Sequence, residues 1–205
     1  MDVALRRPLA AARWPGSVKR GVDVVGASLG LVLAAPVIAA AALAVRLGDG
    51  GPALFRQVRV GRDGRPFTML KLRTMATGAE AHAPRRPPRF KRRGDPRVTP
   101  GGRVLRRLSI DELPQLVNVL RGEMSLVGPR PPLPSEVRWH GRWHRARQSV
   151  PPGITGLWQV SGRADLPFER WIEYDLHYVE RWSLWLDLAL LARTVPAVLH
   201  GRGAR

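Results

Sequence analysis

The chain has 205 residues, enough for one domain with a sizeable core, and its formal net charge is +18 at pH 7. Such an excess of positive charge predicts a polyanionic partner: nucleic acid, an anionic membrane surface or a phosphate-bearing substrate. The chain has no cysteine, which excludes disulfide bonds and thiolate metal sites, and its five histidines show no metal-ligand spacing that favours zinc.

A membrane-inserted helix is the first predicted element. The 22 residues from Val24 to Val45 carry no charge and are long enough to cross a hydrocarbon core of about 30 Å. Basic residues flank both ends, which a straight span cannot reconcile with the preference of Lys and Arg for the cytoplasmic side. Pro36 offers a break. We therefore expect a re-entrant helix hairpin over residues 19–47, after a basic tail over residues 1–18. A kinked single span is the alternative.

A β-hairpin and a loop follow this helix. Alternating apolar residues at 55–60 and 67–72, around a Gly-Arg-Asp-Gly turn, predict two short antiparallel strands. Residues 76–100 are rich in Ala, Pro, Arg and Gly and predict a flexible loop. No nucleic-acid recognition module is apparent, so lipid headgroups and substrate phosphates are the expected partners of its basic residues.

Helical patterns dominate the rest of the chain. They lie at roughly residues 101–107, 110–121, 133–147, 167–180 and 182–199. The last pattern is apolar with a sparse polar stripe and a basic tail at residues 201–205, which is typical of a helix at a bilayer interface. We therefore predict an α+β, mainly helical fold. It combines a re-entrant membrane helix, a small β-hairpin and amphipathic interfacial helices around a site on the cytoplasmic face.

Two adjacent carboxylates, Asp111 and Glu112, follow a dense run of arginines. The segment that begins at Ser109 matches the Ser-x-x-Glu capping box, which would give the pair a purely structural role. However, a helix N-terminus preceded by Arg103, Arg106 and Arg107 is also an anion-binding environment, and it would hold Asp111 ionised. Arg130 lies between prolines, and this stiff backbone would present its guanidinium to phosphate oxygens.

Asp175 lies on an otherwise aromatic helical face. The other members of that face are Trp171, Tyr178 and Trp182. An acid on an apolar face requires a cationic partner, and both a metal ion and a buried ion pair with an arginine meet that need. Oxygen ligands without cysteine or histidine favour Mg²⁺ as the metal.

Five motifs stand in series along nearly the whole chain, from about Lys19 to Leu199. They are KRGVDVVGASLGLVLAAP, FRQVRVGRDGRPFTMLKLRTM, DPRVTPGGRVLRRLSIDELPQLVNVLRGEMSLVGPRP, PGITGLWQVSGR and YDLHYVERWSLWLDLALLARTV. In this order they resemble the bacterial sugar transferases, the monotopic phosphoglycosyl transferases that act on polyprenyl phosphate. Longer relatives have additional N-terminal membrane helices. The resemblance therefore implies a minimal catalytic unit, with residues 48–200 as the catalytic domain.

The resemblance implies a reaction and its residues. A sugar-1-phosphate would pass from a UDP-sugar to undecaprenyl phosphate, with release of UMP, through a covalent phosphosugar–aspartate. Asp111 would be the nucleophile, and Glu112 its catalytic partner near Mg²⁺. Arg130 matches the Pro-Arg-Pro motif and would hold a phosphate. Asp175 matches the acid of the late helix, and we expect it to be a second Mg²⁺ ligand beside Glu112.

Further partners and the cellular location also come from the resemblance. Lys71, Arg73 and Arg107 are candidates for contacts with nucleotide or polyprenyl phosphate. The catalytic domain would lie on the cytoplasmic face of the bacterial inner membrane, in contact with its lipid, and a homodimer stays open. A non-catalytic basic scaffold of a polysaccharide assembly complex is the alternative function. The chain departs from the family pattern at Ala35-Pro36, where Ser-Pro is common, and in its Arg- and Pro-rich loop.

Overall fold

A long N-terminal helix rests on a small, mainly helical body in the computed structural model, which describes residues 16–79, 95–137, 143–162 and 167–199. The helices are α1 (Gly16–Asp49), α2 (Pro100–Arg107), α3 (Gln115–Leu120), α4 (Pro134–Val137), α5 (Trp143–Arg147), α6 (Leu157–Ser161), α7 (Phe168–Arg181) and α8 (Leu184–Leu199). The strands are β1 (Leu54–Val60), β2 (Pro66–Leu72), β3 (Ser125–Val127) and β4 (Gly153–Thr155). The mainly helical fold with a small antiparallel sheet is therefore confirmed.

Helix α1 is continuous over 34 residues and contains Pro36 in its interior. Among the described residues it is the one helix long and apolar enough to cross a membrane. The predicted break into two helices at Pro36 is not observed. A proline removes one backbone donor and strains the preceding turn, but it does not end a helix whose other hydrogen bonds persist.

Both ends of α1 are held by the same body. Near its N-terminus, the Lys19 Nζ lies 2.8 Å from Asp187 Oδ2 on α8. Arg20 donates hydrogen bonds of 2.5 and 2.7 Å to carbonyl oxygens at the end of α3. At the other end, Asp49 forms a bidentate ion pair with Arg73, just after β2. The middle of α1 carries exposed apolar side chains, including Leu33 at 78% exposure.

The predicted hairpin is confirmed. Strands β1 and β2 pair antiparallel, from Leu54 opposite Leu72 to Val60 opposite Pro66. In the connecting turn, Gly64 has a φ of 77°, a left-handed conformation that glycine adopts without strain. The inner face of β2 packs into a first core shared with α1 and α3. Its buried members are Ala27, Phe67, Met69, Leu116, Val119 and Met124.

A second, parallel pair of strands joins β3 to β4 and was not predicted. Ser125 lies opposite Gly153, and Val127 lies opposite Thr155. The strands are only three residues long, too short to show a hydrophobic period. A Cβ atom on Gly153 would lie 2.0 Å from the backbone nitrogen of Gly128, so this close approach requires glycine. A second core beside this sheet contains Val127, Val150, Tyr178, Val179 and Leu190.

Three of the predicted helices are confirmed within a few residues. They correspond to α2, α7 and α8. Thr99 caps α2 by accepting a hydrogen bond of 3.0 Å from the Gly102 amide, with Pro100 at the first helical position. The predicted helix at 133–147 contains α4 and α5, and residues 138–142 lie outside the described residues. Helix α6 was not predicted.

The predicted loop at 76–100 is described only at its two ends. Residues 80–94 lie outside the described residues. The ends are brought together by a β-bridge between Met75 and Val98, and by a hydrogen bond of 3.0 Å from the Ala76 amide to the Arg97 carbonyl. Asp95 pairs with Arg97, and this pairing lowers the pKa of Asp95 to about 2.

Candidate active site

The acidic pair lies on a short 3₁₀ turn, Ile110–Glu112, and not at the start of a long helix. Ser109 adopts a left-handed conformation, with φ 55° and ψ 20°, and its side chain makes no capping hydrogen bond. The capping-box prediction is therefore wrong, because an N-cap serine needs an extended backbone. The predicted helix at 110–121 is divided by Pro114, and α3 begins at Gln115. The two carboxylates are therefore positioned by the turn that follows α2, and not by the N-terminus of a helix.

Arg106 on α2 interacts electrostatically with the acidic pair. Burial lowers the pKa of Arg106, and the negative charges of Asp111 and Glu112 act in the opposite direction. The Arg106 Nε also donates a hydrogen bond of 2.8 Å to Thr74 Oγ1, which fixes the guanidinium against the strand side of the site. Arg107 is exposed on α2, so its role in phosphate binding stays a prediction.

The structure brings Lys71 and Glu112 together, a pairing that the sequence did not predict. The Lys71 Nζ lies 2.8 Å from Glu112 Oε1, and both side chains are partly exposed. The pair joins β2 to the 3₁₀ turn. Asp111, next to it, is buried at 3% exposure. The site thus combines a buried carboxylate, that of Asp111, with a partly exposed ion pair between Lys71 and Glu112.

Arg130 shares one carboxylate with a second arginine that the sequence did not point to. Arg130 Nη1 lies 3.6 Å from Glu136 Oε2, and Arg59 Nη1 lies 3.8 Å from the same oxygen. That oxygen also accepts a hydrogen bond of 2.8 Å from the Leu133 amide. Arg59 donates in addition to the Pro131 carbonyl at 3.1 Å. Glu136 and Arg59 therefore hold the proline-flanked turn that presents Arg130.

Arg59 is buried, and it interacts electrostatically both with Arg130 and Glu136 and with Glu112 on the 3₁₀ turn. Burial and the positive charge of Arg130 lower the pKa of Arg59 to about 9, while Glu136 and Glu112 act in the opposite direction. The charges of Arg59, Arg130 and Glu112 therefore act on one another. In the sequence, Arg59 lies on the face of β1 opposite to Val58 and Val60, so the apolar pattern gave no signal that this arginine is buried.

Asp175 takes part in the buried ion pair that was the alternative to metal binding. Arg147 donates to its carboxylate through Nε, at 2.9 Å, and through Nη2. The carboxylate also accepts a hydrogen bond from the Arg130 backbone amide. Burial raises the pKa of Asp175, and the charge of Arg147 opposes this. These contacts make Asp175 a residue that positions the backbone of Arg130. Its role as a metal ligand gains no support from them.

Arg73 is engaged at the end of the membrane helix. Its guanidinium pairs with Asp49, donates 2.7 Å hydrogen bonds to the Pro52 carbonyl and Thr77 Oγ1, and is buried. These contacts account for Arg73 as a residue that fixes α1 to the body. Its contact with a substrate phosphate stays a prediction.

The acidic residues of the site could bind Mg²⁺ only if substrate phosphates supplied further ligands. The described part of the chain contains no group of three or more Asp, Glu or His side chains that could hold a metal ion. Mg²⁺, however, is commonly held by one or two carboxylates together with water and substrate phosphates. The adjacent carboxylates of Asp111 and Glu112 meet that requirement, whereas a cage that includes Asp175 does not form.

The comparison with known proteins decides the family. The bacterial sugar transferase family model matches residues 14–201. The chain belongs to this family. It is 48% identical to the UDP-glucose:undecaprenyl-phosphate glucose-1-phosphate transferase of Caulobacter vibrioides, over 88% of this chain and 69% of the relative. It is 40% identical to the exopolysaccharide production protein ExoY of Rhizobium meliloti, over 92% of this chain and 88% of the relative.

Some relatives are much longer than this chain, which matches only part of their length. The chain of this sugar transferase is 43% identical to the galactosyl transferase CpsE of Streptococcus agalactiae, over 91% of its own length. It spans only 43% of that relative. The shared region contains the acidic pair and the proline-flanked arginine. These features are therefore the ones from which a function is best argued.

Proposed function

We propose that this sugar transferase moves a sugar-1-phosphate from a UDP-sugar to undecaprenyl phosphate and releases UMP. The observation that supports this most directly is the arrangement around Asp111. A buried carboxylate lies beside Glu112, on a turn surrounded by the cations of Arg106 and Lys71. The names of relatives from Caulobacter vibrioides and Komagataeibacter xylinus, both undecaprenyl-phosphate glucose transferases, suggest the substrate class.

In the first step, an Asp111 carboxylate oxygen attacks the sugar-bearing β-phosphorus. The bond from that phosphorus to the bridging oxygen breaks, and UMP leaves with the bond's electron pair. In the second step, a phosphate oxygen of undecaprenyl phosphate attacks the same phosphorus and returns the electron pair to Asp111. The product is undecaprenyl-diphosphate-sugar. Carboxylates act as nucleophiles in other phosphoryl transfers.

The cations of the site neutralise phosphate charge as the bonds change. Phosphoryl transfer depends mainly on positioning and on electrostatic stabilisation, and Arg106, Lys71 and Arg130 supply both. Glu112, together with the substrate phosphates, would hold Mg²⁺, which when bound adds further charge neutralisation. Because Asp111 is 3% exposed, attack also requires a local movement that uncovers its carboxylate.

We further propose that α1, which stays helical through Pro36, bends at this proline within the cytoplasmic leaflet of the inner membrane and returns to the same side. Two observations support this topology: Lys19 and Asp49, 30 residues apart, both form ion pairs with the same body, and the apolar residues between them are exposed. On α8, Trp185 is 80% exposed and suits the membrane interface. On this proposal, residues 19–47 form the membrane-inserted part and residues 48–200 the catalytic part.

The test is a panel of UDP-sugars, assayed for UMP release and for transfer of labelled sugar into lipid extract. At least one UDP-sugar should give both signals, and Asp111→Asn should abolish both. Asp63→Asn is the matched control, because Asp63 is an exposed acid on the β1–β2 turn. If no UDP-sugar gives UMP while membrane binding is retained, the scaffold alternative replaces this proposal.

A further inference from the structure

Gln148 carries a buried donor that the proposed reaction does not use. The residue is 8% exposed, and its Nε2 finds no hydrogen-bond acceptor within the described parts of the chain. Its backbone, in contrast, is tied down, because the Gln148 carbonyl accepts a hydrogen bond of 2.8 Å from the Asp63 amide. Buried side-chain donors are nearly always paired, since an unpaired one loses its hydrogen bonds to water without compensation. We therefore expect the carboxamide to donate a hydrogen bond to a bound molecule.

A small cleft lies beside this carboxamide, and Arg130 forms part of its wall. Arg147 also lines the cleft, and its guanidinium is paired with Asp175. The remaining walls are apolar or backbone, from residues that include Val60, Pro129 and Val150. The carbonyl oxygens of Pro129 and Pro132 accept hydrogen bonds elsewhere, from the Gly153 and Val60 amides at 2.9 and 3.0 Å. No carboxylate belongs to the residues that line the cleft. It therefore offers hydrogen-bond donors, and has room for roughly one water-sized group.

We propose that Gln148 and this cleft form a subsite that takes one neutral oxygen of the sugar nucleotide, a hydroxyl or a carbonyl. The inference rests on the proposed function, because Arg130 in the same cleft is the residue proposed to hold a substrate phosphate. The donor-rich lining excludes a cation, and the neutral carboxamide favours an uncharged acceptor. The size admits a single oxygen and excludes a whole ring.

Such a subsite influences which donor the enzyme accepts. A buried group that pairs with a substrate oxygen is left unpaired by an analogue that lacks the oxygen, and the analogue is rejected for that reason. The oxygen belongs either to the sugar or to the nucleoside. Both present the same acceptor chemistry to the Nε2 donor, so the experiment has to separate them.

The test compares the wild type, Gln148→Leu and Ser149→Ala as the 205-residue protein in detergent. Ser149 is the matched control, because it is the next residue and its hydroxyl donates to the Ala146 carbonyl at 2.7 Å. The measurements are KM and kcat for UDP-glucose, the inhibition constant of UDP, and Tm. For Gln148→Leu we expect a threefold to tenfold rise in KM, about the value of one neutral hydrogen bond, with kcat and Tm nearly unchanged. Ser149→Ala should match the wild type.

The inhibition constant of UDP identifies the oxygen. If the oxygen belongs to the nucleoside, the UDP inhibition constant rises by the same factor as KM. If it belongs to the sugar, KM rises while UDP inhibition stays at the wild-type value. If Gln148→Leu changes neither constant, the cleft holds water only and the proposal is overturned. A wild-type protein that neither binds UDP nor releases UMP would instead overturn the proposed function, a result recognisable without any variant.

Discussion

At the residue scale, one carboxylate controls how the site presents its arginines. Glu136 Oε2 lies within 4 Å of both Arg59 and Arg130, and it also accepts the Leu133 amide. Two guanidiniums this close repel each other unless an anion lies between them. The position of the Arg130 guanidinium therefore depends on Glu136, which need not contact the substrate itself.

Glu136→Gln should separate this positioning role from a purely structural one. The glutamine keeps the size of the side chain and an oxygen for the Leu133 amide, but it removes the charge that both arginines share. We expect a roughly tenfold fall in kcat/KM, mainly through KM, and a loss of about 1–3 kcal/mol in the free energy of unfolding. Steady-state kinetics and denaturant unfolding measure the two effects.

Glu173→Gln is the control for that experiment. Glu173 pairs with Arg170 at 2.8 Å on the exposed side of α7, and an exposed pair contributes little. Its substitution should leave both quantities unchanged. Wild-type kinetics in Glu136→Gln would show that Arg130 does not need its carboxylate partner.

Arg59→Lys should move the loss of activity at rising pH to a lower pH than in the wild type. Burial and the charge of Arg130 lower the pKa of Arg59 to about 9, so the arginine stays charged at neutral pH. Lysine starts from a lower ordinary pKa, about 10.4, and the same environment would lower it further. The activity of the variant should therefore fall with rising pH earlier than that of the wild type, because the introduced lysine loses its proton at a lower pH. Profiles of kcat/KM that run parallel for both proteins would contradict this.

The sequence pointed to the acidic pair, to Lys71 and to the arginines before the pair, but it did not predict that Lys71 pairs with Glu112. Arg106 and Arg107 are adjacent, and only the turn of a helix decides which of them faces the carboxylates. Arg59 was missed because its partner Glu136 lies 77 residues away in the chain. Charge alone does not predict such pairs. They depend on how β1 and α4 pack together.

At the element scale, a buried charge cluster fixes the membrane helix to the body. Lys19 contacts Asp23 at 2.9 Å and Asp187 at 2.8 Å, and all three side chains are nearly inaccessible. Asp187 also accepts the Tyr178 hydroxyl at 2.8 Å, and burial together with this carboxylate raises the pKa of Tyr178. The cluster therefore joins α1, α7 and α8.

Asp187→Asn should weaken this connection strongly. The change leaves the buried Lys19 ammonium with only Asp23 as a charged partner in the cluster, and breaking a buried pair from one side costs about 3–5 kcal/mol. We expect a clearly lower Tm for the detergent-solubilised protein. Asp63→Asn, an exposed acid, serves as the control. A Tm equal to that of the wild type would show that the cluster does not carry stability.

The elements that were missed or wrongly predicted have structures that local sequence patterns do not show. Strands β3 and β4 are too short for a hydrophobic period, and their pairing depends on the close approach of Gly128 and Gly153. The helix expected at 110–121 was inferred from a capping pattern, but the left-handed Ser109 changes the chain direction first. Longer elements with a clear period, such as α7 and the β1–β2 hairpin, were predicted correctly because local pattern and final packing agree.

At the scale of the whole molecule, the membrane topology follows from where α1 ends. Single-cysteine variants at Ser17 and Gly48 report on the two ends, because the chain has no cysteine of its own. Both positions are exposed, and a Cβ atom on Gly48 meets nothing within 4 Å. An impermeant thiol reagent should label both from the cytoplasmic side in inverted vesicles and neither in intact spheroplasts. Labelling from opposite sides would establish a single span.

The proposed reaction requires that Asp111 becomes covalently linked to the sugar phosphate. The most direct test is mass spectrometry of the protein after incubation with its UDP-sugar in the absence of undecaprenyl phosphate. We expect a sugar-phosphate adduct on the peptide that contains Asp111, lost on addition of the lipid acceptor and absent in Asp111→Asn. An adduct on another residue, or UMP release that occurs only when the acceptor is present and leaves no adduct, would contradict it.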